Sequence, residues 1–229
     1  MAKSKKLKIA VVGAGMGGIS SAAALRKLGI DVDIYEQADS FARIGAGIHV
    51  AANAVKALYG LGLSERTLRE KAYLPIADFH REYDTGKLTG ELPHTAEQEK
   101  KFGAPYTVWH RGDLHAAMLE LVPQDIIHRG KKLTGVDQDA HSATLRFADG
   151  SSATADAVIG SDGIHSVVRA TVLGVSKTHF TGRLAYRAVI EKSKIGVPDL
   201  DPAAKWWGPD RHFVHYYVSG GREVAFTTS

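Results

Sequence analysis

The sequence predicts an α/β fold, and three features carry that expectation. Residues 7–36 read "LKIAVVG", then a helical stretch, then "DVDIYE", which is a strand–turn–helix–strand unit. Further on, "TADAVIGSDGIHSVVR" repeats the strand–turn–helix order. By contrast, "KLTGVDQDAHSATLRFADGSSATA" and "HFVHYYV" show the short turns and alternation of antiparallel strands, with a hairpin turn at Ala148–Gly150.

The first unit runs from a buried strand into a tight turn and a helix over residues 17–28, which Gly29 ends. Gly13, Gly15 and Gly18 fit G-x-G-x-x-G, the Rossmann-like fingerprint. The first glycine makes the turn, the second lets a pyrophosphate approach, and the third lets helix and strand pack closely. The helix N-terminus then offers N–H groups to phosphate. Glu36 ends the second strand, where it can accept hydrogen bonds from a ribose and would repel a 2′-phosphate. This unit alone does not say which dinucleotide is bound.

After Glu36 come a loop with Arg43, Gly45, Ala46 and Gly47, and then a helix. "HRGDLHAAMLEL" places Arg111 just before an amphipathic helix. In the later unit a buried strand ends at Gly160, Asp162 and Gly163 make a turn, and a helix starts near His165. Asp162 can bond ribityl or ribose hydroxyls there, while Gly163 leaves room for the pyrophosphate.

Composition excludes several classes. A chain of 229 residues, 44% hydrophobic, can build one large or two small domains with a real core. It has no cysteine, so disulfides, thiolate metal sites and cysteine nucleophiles are excluded. No histidine pair has metal-ligand spacing with an acidic partner, so no metal is expected. The net charge of +4 is scattered, apart from Lys3, Lys5 and Lys6 and the pair Lys131 and Lys132. No nucleic-acid partner is expected, and an anionic small molecule accounts for the charge equally well. No apolar run approaches the roughly 20 residues that span a bilayer, and "LKIAVV" is too short for a signal core, which predicts a cytoplasmic address and no membrane.

Taken together, "GAGMGG" with Glu36, "RIGAGI", "HRGDLH" and "IGSDGIHSVVR", followed by "TGRLAYRAVI", resemble the class A flavoprotein aromatic hydroxylases, the salicylate and hydroxybenzoate hydroxylase family. The resemblance covers essentially the whole chain. It implies a Rossmann-like FAD-binding domain of the glutathione-reductase type with a small β-sheet substrate domain. FAD would be held by Gly13, Gly15, Gly18, Glu36, Arg43, Arg111, Asp162 and Gly163. NADH would visit as a transient co-substrate, and O2 and a small hydroxylated aromatic or heteroaromatic acid would react. The FAD domain is expected over 1–73 and 102–173, with the substrate sheet over 74–101 and 174–229.

In such enzymes reduced flavin and oxygen form a C4a-hydroperoxide, which attacks only an electron-rich ring, so a ring hydroxyl must be deprotonated or polarised. Histidine and tyrosine suit that task near neutral pH. Through "GAGIHV" and "KWWGPDRHFVHYYVSGGR", the pocket residues of one family member map onto His49, His212 and Tyr216. That member carries a pocket cysteine where this chain has Ala203. His212 and Tyr216 fall on one face of a strand, and His215 and Tyr217 fall on the other as structural residues, although any half-buried strand alternates in this way. Trp206 and Trp207 are read as sheet packing. His80, His94, His128 and His141 are read as loop or surface residues without a role.

Family members continue to a "GDAAH"-like segment over the flavin pyrophosphate, whereas this sequence stops at "EVAFTTS". From this the chain is expected to lack a further domain's worth of residues and to be weak in flavin and inactive by itself. An exposed sheet edge would pair with another chain as a homodimer. Two rival readings are another flavin oxidoreductase and a non-catalytic nucleotide-binding fragment.

Overall fold

The computed structural model describes residues 6–175, 177–197 and 200–228, and among these it has fifteen strands and six α-helices. Lys3 and Lys5 lie outside the described residues. The order is β1 (Lys8–Val12), α1 (Met16–Lys27), β2 (Asp31–Tyr35), β3 (Gly47–Val50), α2 (Ala52–Leu61), α3 (Glu65–Lys71), β4 (Ala77–Glu82), β5 (Leu88–Pro93), α4 (Ala96–Phe102), β6 (Thr107–His110) and α5 (Arg111–Leu119). It continues with β7 (Ile127–His128), β8 (Leu133–Gln138), β9 (Ala143–Phe147), β10 (Ser152–Ala155), β11 (Ala157–Gly160), α6 (Val167–Leu173), β12 (Tyr186–Glu191), β13 (Ala203–Trp207), β14 (His212–Val218) and β15 (Glu223–Thr228). Among the described residues no helix is long and apolar enough to cross a membrane.

The chain divides into two compact units, Met1–Ala42 with Met118–His179, and Arg43–Ala117 with Phe180–Ser229. In the first, β11, β1, β2 and β7 form a parallel sheet in that order. β1 is central, which is why "KIAVV" is apolar at nearly every position rather than alternating. Gly18, Ile19, Ala22 and Ala23 are the buried face of α1, small enough for helix and sheet to close together. β8, β9 and β10 form an antiparallel meander, joined at its second turn by Gly150 at positive φ. Tyr35, Leu133, Leu145 and Phe147 share a core cluster with Ala10 and Val12. Each large side chain buried there is worth about 1.5–3 kcal/mol. β11 is half exposed rather than buried because it is the edge of its sheet.

In the second unit six strands form one sheet in the order β12, β15, β14, β13, β4 and β5, antiparallel except for β13 against β4. Its free edges are β12 and β5. β3 and β6 make a separate antiparallel pair, so a strand stands where the sequence suggested only loop before α2. The unit boundary also differs from the expected one. Residues 43–73 and 102–117 cluster with the six-stranded sheet rather than with the parallel one. The reason is contact: Val108 of β6 packs with Ala203, Tyr216, Val218 and Ala225, Tyr73 bridges to Val108, and Arg43 is tied to Glu223.

Candidate functional site

In the first unit the glycine turn has the shape its spacing predicts. Gly13 sits at φ +96°, donates its N–H to the Tyr35 carbonyl at 2.8 Å, and has no room for a Cβ against Ser161. A Cβ on Gly18 would collide with the Gly13 carbonyl and press on Val11. Gly15 is different. It is the N-cap of α1 with ordinary extended dihedrals, no side chain caps the helix there, and a Cβ would meet nothing within 4 Å. Open space in front of an uncapped twelve-residue helix fits a phosphate group. The residues present therefore fit a dinucleotide.

Glu36 is half-buried beside this turn and already accepts two backbone N–H groups, from Ala14 on Oε2 and from Ala38 on Oε1, both at 2.8 Å. A carboxylate oxygen accepts more than one bond, so both oxygens retain capacity for ribose hydroxyls. Asp162 has a visible structural task. Its Oδ1 accepts from the Ser166 hydroxyl at 2.5 Å, and its Oδ2 accepts from the N–H groups of Val167 and Val168 at 2.7 and 3.1 Å. These bonds set the start of α6 at Val167, two residues beyond the position expected from sequence. Gly163 follows at φ +76° in open space.

In the second unit, the Arg43 guanidinium is engaged by two carboxylates. Its Nε and Nη2 donate to Asp113 at 2.6 and 3.0 Å, and Nη2 also donates to Glu223 at 2.5 Å and to the Ser219 hydroxyl at 2.9 Å. Hydrogen bonds from Arg43 and Ser219, with the charge of the guanidinium, hold Glu223 below its usual carboxylate range, and the same partners outweigh burial to lower Asp113. Arg43 is thus charge-compensated within the unit. Arg111 starts α5 rather than preceding it, and its stem packs against Gly45. Its guanidinium makes no hydrogen bond among the described residues, which leaves it available to an anion.

The other chemistry in this unit lies on one face of the six-stranded sheet. The ladder sets Ala203 opposite Tyr216, Lys205 opposite Val214 and His80 opposite Lys205. β3 brings His49 to this face, with its ring 4.3 Å from the Tyr216 ring in an edge contact. Gly47 permits the packing, since a Cβ there would run into the Tyr216 ring. A cavity of about 150 Å³ is lined by His49, Asp78, His80, Tyr106, Ala203 and Lys205, among others. His49 Nδ1 lies 2.6 Å from the Tyr106 hydroxyl, and His94 Nε2 lies 3.1 Å from Asp78 Oδ2. His49 is open on one side, yet the surrounding protein mass disfavours its cation and lowers its pKa. Burial raises the pKa of Tyr216, whose hydroxyl stays protonated, and raises that of Tyr106, with Asp78 adding to the effect.

The structure thus brings His49 and Tyr216 together. His212 shares the Tyr216 face but stands four residues along β14, about 14 Å away at strand rise, opposite Trp207. His215 and Tyr217 alternate to the opposite face, although the cavity still reaches His215. Both His215 ring nitrogens are buried without a hydrogen-bond partner among the described residues. Trp207 does pack in the sheet, but it is 46% exposed and stacks under the Lys205 ammonium at 3.7 Å. His80 is on β4, His128 is on β7, and the His94 side chain is only 11% exposed, so these three are not loop residues without partners. Sequence reasoning did not single out Asp78 or Tyr106 and gave His94 no role. The D-x-H alternation of Asp78 and His80 at strand period was the available signal. Among the described residues no group of three or more acids and histidines could hold a metal.

Comparison with known proteins adds the family. A family model described as "FAD binding domain" matches residues 6–218. The chain is 41% identical over 219 residues to 6-hydroxynicotinate 3-monooxygenase of Pseudomonas fluorescens, covering 95% of this chain and 57% of that protein. It is 36% identical over 224 residues to 3-amino-4-hydroxybenzoate 2-monooxygenase of Streptomyces cremeus, covering 97% and 56%. The crystal structure of Klebsiella pneumoniae HpxO complexed with FAD and uric acid matches with a TM-score of 0.86 at 29% identity, over 97% of this chain and 56% of that one. The chain spans little more than half the length of these relatives. With its glycine turn, its mixed α/β architecture and a family match over nearly its whole length, the chain belongs to the FAD-binding domain family of the class A flavoprotein hydroxylases.

Proposed function

We propose that this chain is the flavin- and substrate-binding part of an FAD-dependent monooxygenase. It would hydroxylate 6-hydroxynicotinate at its carboxyl-bearing carbon, releasing CO2 and giving 2,5-dihydroxypyridine, with NADH and O2 consumed in the cytoplasm. The observation that carries this reading is His49, held between the Tyr106 hydroxyl and the edge of the Tyr216 ring, at a small cavity that Tyr106 and Ala203 also line. The 41% identity to an enzyme of that name supports the choice of substrate.

The Gly13–Gly18 turn, the N-terminus of α1, Glu36 and Arg111 would hold FAD, with Asp162 and Gly163 shaping the neighbouring turn. Bound and reduced, flavin activates dioxygen for transfer of one oxygen atom to an electron-rich ring. The chain's own residues prepare that ring. His49, kept neutral by its surroundings, accepts the proton of the ring hydroxyl and raises the electron density of the ring. Tyr216 is 5% exposed and packed against Gly47, and it fixes the ring's position as a rigid wall and hydroxyl donor. His212, about 14 Å along β14 from Tyr216, is too far to touch the same small ring and takes no part in this step.

Ala203 supports a second substrate reading. An alanine where the resembling enzyme has a cysteine widens the cavity, which favours a carbocyclic acid such as an amino-hydroxybenzoate. The test is NADH oxidation by the longest gene product carrying this sequence, with each acid in turn. One 2,5-dihydroxypyridine formed per NADH supports the first reading, turnover only with the benzoate supports the second, and no ring product with either refutes both.

A further inference from the structure

Among the described residues that line the cavity beside His49, Lys205 alone carries a permanent positive charge. Asp78, the carboxylate there, is engaged by His94 Nε2 at 3.1 Å. No carboxylate among the described residues lies within ion-pair distance of the Lys205 ammonium. It rests instead 3.7 Å from the centre of the Trp207 ring, which is 46% exposed. A half-exposed ring face holds an ammonium less strongly than a carboxylate does. The Lys205 charge is therefore one that an incoming anion can capture.

Its position suits that role. Ala203 stands opposite Tyr216, whose ring meets the His49 ring edge-on at 4.3 Å, and Lys205 comes two residues later on the same face of β13, between Val214 and His80. Two residues of strand carry Lys205 about 7 Å beyond Ala203. That is close to the length of an aromatic ring with a hydroxyl at one end and a carboxylate at the other, and the flexible lysine stem takes up the difference. We propose that Lys205 is the carboxylate anchor of this cavity: its ammonium leaves the Trp207 face to pair with the carboxylate of a hydroxylated aromatic acid, while His49 meets the hydroxyl at the opposite end. This rests on the reading of the cavity as a hydroxylase pocket, and it adds the residue that selects acids over neutral rings. Lys205 binds and positions; it moves no proton. In 6-hydroxynicotinate the anchored group is the one that departs as CO2, so the product loses this hold.

Lys205→Met keeps a stem of similar length against Trp207 and removes the charge. In the longest gene product carrying this sequence, with FAD bound and NADH absent, calorimetry should show 6-hydroxynicotinate binding about tenfold to 150-fold more weakly to Lys205→Met than to wild type. Binding of 2-hydroxypyridine, the same ring without the carboxyl group, should be little changed, and Lys205→Arg should recover most of the loss. In turnover the loss should fall mainly on KM. Wild type offers a check that needs no variant, since added salt should weaken binding of the acid and spare 2-hydroxypyridine. Unchanged affinity for the acid in Lys205→Met, or an equal loss for both ligands, overturns the proposal, as does salt-insensitive binding of the acid should the variant fail to fold. Hydroxylation by wild type with an affinity indifferent to Lys205 would remove the anchor and leave the hydroxylase standing. Failure of wild type to bind or turn over any aromatic acid would overturn the reading of the pocket, and the anchor with it.

Discussion

Gly15→Ala separates the ligand role of the glycine turn from its packing role. Gly15 has φ −70° and ψ 179°, dihedrals that alanine adopts without strain, and the added methyl meets nothing within 4 Å. The fold should therefore tolerate it, with a gain of about 0.4–1 kcal/mol from a less flexible unfolded chain. For a chain of this size that is roughly 1–4 °C in Tm. The same methyl occupies the space in front of the uncapped N-terminus of α1. Displacing a phosphate from one charge-assisted N–H bond costs about 1.5–3 kcal/mol, which weakens FAD binding about tenfold to 150-fold. Gly18→Ala is the contrast, because its methyl collides with the Gly13 carbonyl and should destabilise the fold by about 1–3 kcal/mol. Thermal unfolding without FAD and flavin fluorescence titration of the longest gene product measure the two effects. FAD affinity unchanged in Gly15→Ala, or a loss of stability like that of Gly18→Ala, would refute the assignment of that space to phosphate.

Glu36→Ala should weaken FAD binding by about 1.5–3 kcal/mol and also lower Tm, because it strands the Ala14 and Ala38 N–H groups; calorimetric titration beside a melting curve reads both. Tyr216→Phe should cut product formed per NADH by about tenfold or more while leaving FAD affinity unchanged, whereas Tyr217→Phe on the opposite face of β14 should leave coupling intact. His49, His110 and His215 all have pKa values lowered chiefly by burial. The folded chain thus binds fewer protons than the unfolded one, so stability should fall as pH drops below about 6.5, the unfolded histidine value, toward the lower folded values. Melting temperatures between pH 7.5 and 5 check this, and His215→Leu, which removes two unpartnered ring nitrogens, should flatten the fall.

The βαβ unit was legible because each of its signals is local: an apolar strand, a glycine turn, a small-residue helix face and an acid at the end of the second strand all lie within residues 7–36. Interactions across long loops were not legible. β3 reads as loop because its partner β6 lies sixty residues on. The protein partners of Arg43 were hidden for the same reason, since nothing near it in sequence announces Asp113 or Glu223, which are 70 and 180 residues away. Asp78, His94 and Tyr106 carry no shared motif. They meet only because β4, the turn after β5 and the approach to β6 converge on His49. The motif around Asp162 announced the turn, but not that the Asp162 carboxylate accepts the N–H groups of Val167 and Val168 at the start of α6.

The central claim is that the face carrying His49 and Tyr216 presents a hydroxylated aromatic acid to an oxygen-activating flavin. Its most direct test is turnover of 6-hydroxynicotinate under 18O2 by the longest gene product carrying this sequence, with mass spectrometry of the product. The account predicts one 18O atom in each 2,5-dihydroxypyridine, one CO2 released and one NADH consumed. NADH consumption with hydrogen peroxide as the only product, for this acid and for amino-hydroxybenzoates alike, would contradict it.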